Sequence, residues 1–238
     1  METLFVGLMR LPLVGRLMVS LFGILFRFFS RVMRRVDRHA VRPREWSNRE
    51  LSKVAGVFDG PVINVSGWRD EDQRGGYYRD YFPRAASYVV SNFRGTRGME
   101  ADDPNAVFID LEGELQDELK GRYQVAFNHT TLEHIFEIRK AIANICALSS
   151  DTVILVTPFL QAVHFEPGAF GDYWRPTPMC LNRMLEDNGF TTVYQTCNDT
   201  PWHYVYVFTV ACRNPKRPIG INVPLNVPVV GSGHFSVN

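Results

Sequence analysis

Three stretches hold most of the groups that could do chemistry. The first runs from Gly60 to Phe82, "GPVINVSGWRDEDQRGGYYRDYF". Its apolar run ends at Ser66-Gly67 and opens onto a charged loop, as a buried strand opens onto a ligand loop in an α/β protein. Asp70, Glu71 or Asp72 could meet cationic groups of a ligand and Tyr77-Tyr78 could cover it; the competing reading is a solvated turn. The second stretch is "NHTTLEH", Asn128 to His134. His129 and Glu133 stand four apart and His134 five from His129, which matches neither H-E-x-x-H nor H-x-x-E-H, so no metal site is expected. The third is "HFEPGAFGDYWR", with His164 and Asp172. His129, His134, His164 and Asp172 are the candidates for taking or giving a proton.

These groups need elements to position them. Five short runs rich in β-branched and aromatic residues read as strands: 61–66, 86–92, 106–111, 123–129 and 152–159. Helical patterns separate several of them. One covers "TLEHIFEIRKAIANICALS"; another, "PMCLNRMLEDNGF", closes at Asn188-Gly189. "TTVYQTC" and "HYVYVFTVAC" then form an antiparallel pair. The expected fold is α/β, a Rossmann-like three-layer sandwich whose mostly parallel sheet is closed by that pair. In such a sheet the ends Ser66-Gly67-Trp68, Ser91-Asn92, Asp110-Leu111, Asn128-His129-Thr130 and Thr157-Pro158-Phe159 face one crevice.

Ahead of this domain, residues 1–40 are apolar but cut by arginine. On a helix, Arg16, Arg27, Arg31, Arg34, Arg35 and Arg38 share an arc of about 100°, with Leu17, Leu21, Ile24, Leu25, Phe28 and Phe29 mostly outside it. The longest charge-free run is about half of the roughly 20 residues that a span requires. The pattern predicts an amphipathic helix on an anionic membrane surface through residues 1–38, with packing on its own domain or a homo-oligomer as the alternative. Pro12 separates a short first piece. Residues 41–60 read as a linker and leading helix starting near residue 48, residues 61–213 as the main domain, and 214–238 as an irregular tail without assigned function. The net charge of +1 and the lack of a basic patch interleaved with aromatics argue against nucleic acid. Four scattered cysteines read as reduced thiols. The Asn64, Asn128 and Asn198 triplets read as chance matches to the glycosylation pattern. Together these place the protein in the cytoplasm, peripheral on the inner face of the cytoplasmic membrane.

"QVAFNHTTLEHIF" with "DYWRPTPMCLNRMLEDNGF" resembles class I S-adenosylmethionine-dependent methyltransferases over roughly Val62 to Cys212, closest to the small-molecule branch associated with polysaccharide and lipopolysaccharide biosynthesis. The resemblance implies S-adenosylmethionine as cofactor. It implies Val65, Ser66 and Gly67 around its methionine part, Asn92 at the ribose in place of the usual acidic residue, Asp110 at the adenine amine with Leu111 against the ring, and Asn128 and His129 on the methionine side. A glycine-rich triplet is missing from the first loop.

Methyl transfer needs an acceptor held in line about 3 Å from the methyl carbon, and a base helps where the acceptor is a hydroxyl. His164 is the first choice, with Asp172 as orienter or alternative base and His129 as a further candidate. A backbone-bonded loop histidine and an Asp172–Arg175 salt bridge are the structural alternatives. Tyr173 and Trp174 could stack on a sugar or anchor the loop. The expected function is methylation of a saccharide or glycolipid of the bacterial envelope. The alternative is a catalytically inactive methyltransferase-like scaffold in a glycan-assembly complex.

Overall fold

The computed structural model describes residues 12–36, 43–93, 107–198 and 205–215. The expected first piece before Pro12 and the tail after residue 215 lie outside the described residues. The chain divides into two compact units, Met1–Arg42 and Pro43–Asn238.

The first unit holds one helix, α1 (Pro12–Val36), with the proline in its first turn, where the missing N–H costs nothing. Arg16, Arg27 and Arg31 lie within about 60° of arc at 100° per residue. Leu17, Leu21, Phe22, Ile24, Phe28 and Phe29 are exposed. Among the described residues no helix is long and apolar enough to cross a membrane.

The second unit starts with α2 (Pro43–Val54). The helix begins five residues before the expected start near residue 48. Pro43 opens it, and the cap-like pair is spent on other contacts: Ser47 Oγ bonds His129 and Asn48 Nδ2 donates to Asp72 O. The sheet follows: β1 (Pro61–Val65), β2 (Ser87–Asn92), β3 (Val107–Phe108), β4 (Tyr123–His129), β5 (Ser149–Leu160), β6 (Thr191–Cys197) and β7 (Val205–Cys212). Their order is β3-β2-β1-β4-β5-β7-β6. β1 to β5 are parallel, and β7 alone runs against them, between β5 and β6. The expected fold class is the observed one.

Each face has its own core. On one face α3 (Ile138–Leu148) and α4 (Pro178–Glu186) bury Ile138, Ile142, Ile145, Leu181 and Leu185 against Ile63, Val65, Leu155 and Val207. The i, i+3, i+4, i+7 spacing in α3 makes that stripe. Thr177 caps α4 by accepting from Cys180 N, and Gly189 at φ 76° ends its final turn. On the other face α2 supplies Trp46, Leu51 and Val54, and Tyr78 and Phe82 pack with them over Phe127, Val156 and Phe208.

Two expectations fail locally. "TLEH" is a 3-10 turn at Leu132–His134, and α3 starts only at Ile138. β3 keeps two residues of the expected 106–111, so Asp110 sits in the turn beyond it.

Candidate functional site

β1 and β4 are neighbours, and the chain leaves them toward opposite sides of the sheet, which makes their carboxyl ends the topological switch point. Ser66, Trp68 and Thr130 there have φ of 55°, 50° and 49°, a sparsely populated region that clusters at functional sites. Gly67 approaches the Asn64 side chain so closely that a Cβ would run into its amide. Asn128 donates to Val65 O at 2.8 Å, and among the described residues its buried Oδ1 has no partner. A side-chain acceptor at the switch point is therefore left for something else to satisfy.

The loop after β1 is no glycine-rich cradle: Trp68, Arg69, Glu71, Gln73, Arg74 and Gly75 are exposed, and two buried acids, Asp70 and Asp72, hold it in place. Asp70 is 1% exposed and accepts from Asn64 Nδ2 (2.8 Å), Tyr88 Oη (2.7 Å), Arg79 Nε (2.9 Å) and Arg79 N (3.1 Å). Asp72 accepts from Arg74 N, Gly76 N and Tyr81 Oη. These two acids wire the loop to itself, so they are not ligands for a cofactor's cationic groups. The place of a crossover helix is taken by a 3-10 turn at Tyr78–Tyr81. At the end of β2, Asn92 Oδ1 accepts from Trp68 N at 2.7 Å and Asn92 Nδ2 donates to Trp68 O at 3.1 Å. Gly67 N donates to Ser91 O at 3.0 Å.

Beyond β3 a cavity of about 240 Å³ opens, walled by Phe93, Phe108, Ile109, Asp110, Leu115 and Leu119. Asp110 Oδ1 accepts from Glu112 N at 2.9 Å, which fixes the carboxylate, and among the described residues Oδ2 carries no hydrogen bond. Glu114 and Gln116 line it too, so the lining is mixed; its apolar side chains and the oriented Asp110 carboxylate suit a flat aromatic ring bearing an amine. Leu111 does not line this cavity; it is buried in the core, and Phe93, Phe108 and Ile109 supply the apolar contacts.

The proton-handling candidates separate. His129 is sealed in the core: Ser47 Oγ is 2.8 Å from Nε2, Thr130 Oγ1 is 3.1 Å from Nδ1, and the rings of Tyr78, Phe127 and Tyr206 surround it. Burial, aided by Arg44, drives its pKa well below the ordinary histidine value, so it is a neutral, satisfied core group. Asp172 is held by both Arg175 guanidinium nitrogens, at 2.5 and 2.6 Å, and by His164 N at 2.6 Å. Arg175 keeps that carboxyl below the usual range, so it ties the loop together rather than orienting the His164 ring. The His164 ring packs edge-on against Phe170 at 5.3 Å and His134 at 5.6 Å. His134 and His164 thus come together, while His129 faces the opposite core.

One group stands out that was not among the candidates for taking or giving a proton. Glu133 is buried, its Oε2 has no partner among the described residues, and burial pushes its carboxyl up to about 7. Its signal in the sequence is an acid placed between apolar Leu132 and Ile135, just past a strand end.

No family model matches the chain, and no curated protein matches it in sequence. Solved structures match it in fold. A methyltransferase candidate in complex with the Haloferax volcanii Trm112 methyltransferase activator is 11% identical with a TM-score of 0.52, covering 71% of this chain and 90% of that one. The magnesium protoporphyrin IX methyltransferase of Synechocystis PCC 6803, solved with bound S-adenosylmethionine, is 16% identical with a TM-score of 0.48, covering 72% and 79%. The Burkholderia thailandensis 1,6-didemethyltoxoflavin-N1-methyltransferase, solved with 1,6-didemethyltoxoflavin and S-adenosylhomocysteine, is 14% identical with a TM-score of 0.49, covering 70% and 77%. The strand order, the lone reversed β7 and the first of these likenesses give the chain the fold of class I S-adenosylmethionine-dependent methyltransferases.

Proposed function

We propose that the protein is an S-adenosylmethionine-dependent methyltransferase working at a membrane surface. The observation that carries this reading is the Asp110 cavity at the carboxyl edge, beyond β3 and one strand removed from the β1/β4 switch point of this sheet. The residues present fit the cofactor at its two ends. Asp110 and the cavity walls suit its adenine, while Gly67, with no side chain in the way, and the unpartnered Asn128 Oδ1 suit its amino-acid part. When bound, the cofactor supplies an electrophilic methyl group. The protein's own work is to hold it, to exclude water and to orient an acceptor across the edge from His134 and His164.

Binding should be measured calorimetrically with the intact protein; no heat at millimolar S-adenosylmethionine would remove the reading. Asp110→Ala should weaken binding by about tenfold or more, since a hydrogen bond to a charged group contributes about 1.5–3 kcal/mol. Unaltered affinity would mean that the adenine lies elsewhere.

The acceptor we infer is a saccharide or glycolipid of a bacterial envelope, and the branch resembled is the polysaccharide one. Support comes from the rim beside His134. Phe136, Phe165, Tyr173 and Trp174 are exposed there, and the Phe136 ring lies 5.4 Å from Tyr173. Such a surface suits stacking on a sugar face or contact with a lipid chain. The exposed apolar side of α1, with Arg16, Arg27 and Arg31 along one arc, supports docking on an anionic leaflet at the cytoplasmic side. Deleting residues 1–38 should abolish co-sedimentation with anionic liposomes, and unchanged sedimentation would reject this role.

A second reading, a catalytically inactive scaffold, is favoured by one observation. The Asn92 amide is engaged with Trp68 on both its oxygen and its nitrogen, at the place where a ribose contact is expected. The same calorimetry separates the two.

A further inference from the structure

Glu133 is a buried carboxyl at this edge with one oxygen left open among the described residues. Its side chain is 6% exposed, Oε2 has no hydrogen-bond partner, and Oε1 lies 3.6 Å from His134 Nε2. His134 Nδ1 is 2.6 Å from Gly171 O. A carbonyl oxygen only accepts, so Nδ1 carries the hydrogen, and the neutral ring turns its Nε2 lone pair toward Glu133. The other charged groups facing Glu133 are Arg44 from α2 and Asp172 and Arg175 from the loop after β5. Both cations make hydrogen bonds elsewhere, Arg175 through its two terminal nitrogens to Asp172 and Arg44 to Tyr78 Oη and Thr130 Oγ1, while Arg175 Nε has no partner among the described residues. Glu133's own backbone N–H and these two cations favour the carboxylate form, but burial outweighs them and holds the carboxyl above its ordinary range. His134 continues into the acceptor-side loop through His164 and Phe170, at ring distances of 5.6 and 4.5 Å.

We propose that Glu133 is the proton-accepting group of the methyl-transfer site, and that the positive charge of bound S-adenosylmethionine is what sets it in its carboxylate form. This rests on the methyltransferase reading. In the transfer the sulfur–methyl bond breaks with its electron pair left on sulfur. The acceptor oxygen or nitrogen bonds the methyl carbon, and its proton goes to Glu133. The sulfonium charge and the carboxylate charge disappear together, so the buried site ends neutral and the acid is reset when a new cation binds. Two buried groups that never need to stay charged alone avoid the desolvation cost that either would otherwise carry.

The cofactor and its demethylated product make the test independent of the acceptor. S-adenosylmethionine and S-adenosylhomocysteine differ by one methyl and one charge. Each is titrated calorimetrically into the full-length protein at pH 6.5, in two buffers of different ionisation enthalpy, to count protons released on binding. S-adenosylmethionine should release a measurable fraction of a proton more than S-adenosylhomocysteine. The difference should vanish at pH 9, where Glu133 is already ionised, and in Glu133→Gln, and it should persist in His134→Gln. Equal proton counts in the wild type at pH 6.5, or a difference that survives Glu133→Gln, would overturn the proposal. So would a difference that His134→Gln erases. If Glu133→Gln does not fold, the wild-type comparison between pH 6.5 and pH 9 decides alone. Failure of both ligands to bind the wild type removes the methyltransferase reading, and this proposal with it.

Discussion

Asp70→Ala is expected to destabilise the domain by about 4 kcal/mol, the scale of breaking a buried charged network. The carboxylate is buried and accepts four hydrogen bonds, from Asn64, Tyr88 and twice from Arg79. Removing it leaves the Asn64 amide and the Tyr88 hydroxyl buried without an acceptor, at about 1–3 kcal/mol each. Burial and the neighbouring Asp70 raise the Tyr88 pKa, so that hydroxyl keeps its proton and its need for an acceptor. Asp70 also sits at φ 64°, where alanine adds a further steric cost of about 1 kcal/mol. For a unit of this size the midpoint of thermal unfolding should fall by about 10 °C. Glu71→Ala, one residue away and exposed, should change stability by no more than about 0.5 kcal/mol. Scanning calorimetry on the pair checks the contrast. Similar midpoints for both variants would mean that the loop after β1 is not held by this carboxylate.

That contrast also marks what the sequence does not disclose. "DED" is three acids in a row, and composition treats them alike. Their fates are decided by backbone turns with positive φ at Ser66, Trp68 and Asp70, which point Asp70 inward toward partners 6 to 18 residues away. Strands are easier. β4 and β6 have the bounds read from their residue types, because β-branched and aromatic runs have one economical burial in a two-faced sheet. β3 is shorter than its apolar run because its end serves as a turn that presents Asp110. Between β1 and β2 the chain makes a 3-10 turn rather than a long helix, and it spends its polar groups on the Asp70 and Asp72 networks. At the site, the strand-end positions of Ser66, Gly67, Asn92, Asp110 and Asn128 were legible from where apolar runs stop. What each side chain bonds to was not. Asn92 binds Trp68, His129 binds Ser47 from a helix 82 residues earlier, and Asp172 binds Arg175. Only the last of these partners is close enough in sequence to be anticipated.

Glu133→Gln should make the protein more stable than the wild type at pH 8 and leave the two similar near pH 4.5. Burial raises the folded carboxyl from its ordinary 4.5 to about 7. Below 4.5 the group is protonated in both folded and unfolded chains, and its contribution is fully present. Between 4.5 and 7 the unfolded chain gives up the proton and the folded one retains it, so stability falls by about 1.4 kcal/mol per pH unit. Above 7 both are ionised and the loss levels off at about 3 kcal/mol. Glutamine has nearly the same shape and no charge to bury, so the variant lacks this slope. Urea unfolding at pH 5, 6.5 and 8 measures it. The wild type should lose about 3 kcal/mol more than the variant over that range, and parallel curves would show that Glu133 is already ionised in the folded protein. The direction is the informative part. A residue kept only for stability should not be improved by losing its ability to ionise. A carboxyl that costs the fold free energy at neutral pH, beside His134, is what the proposed proton-accepting role requires.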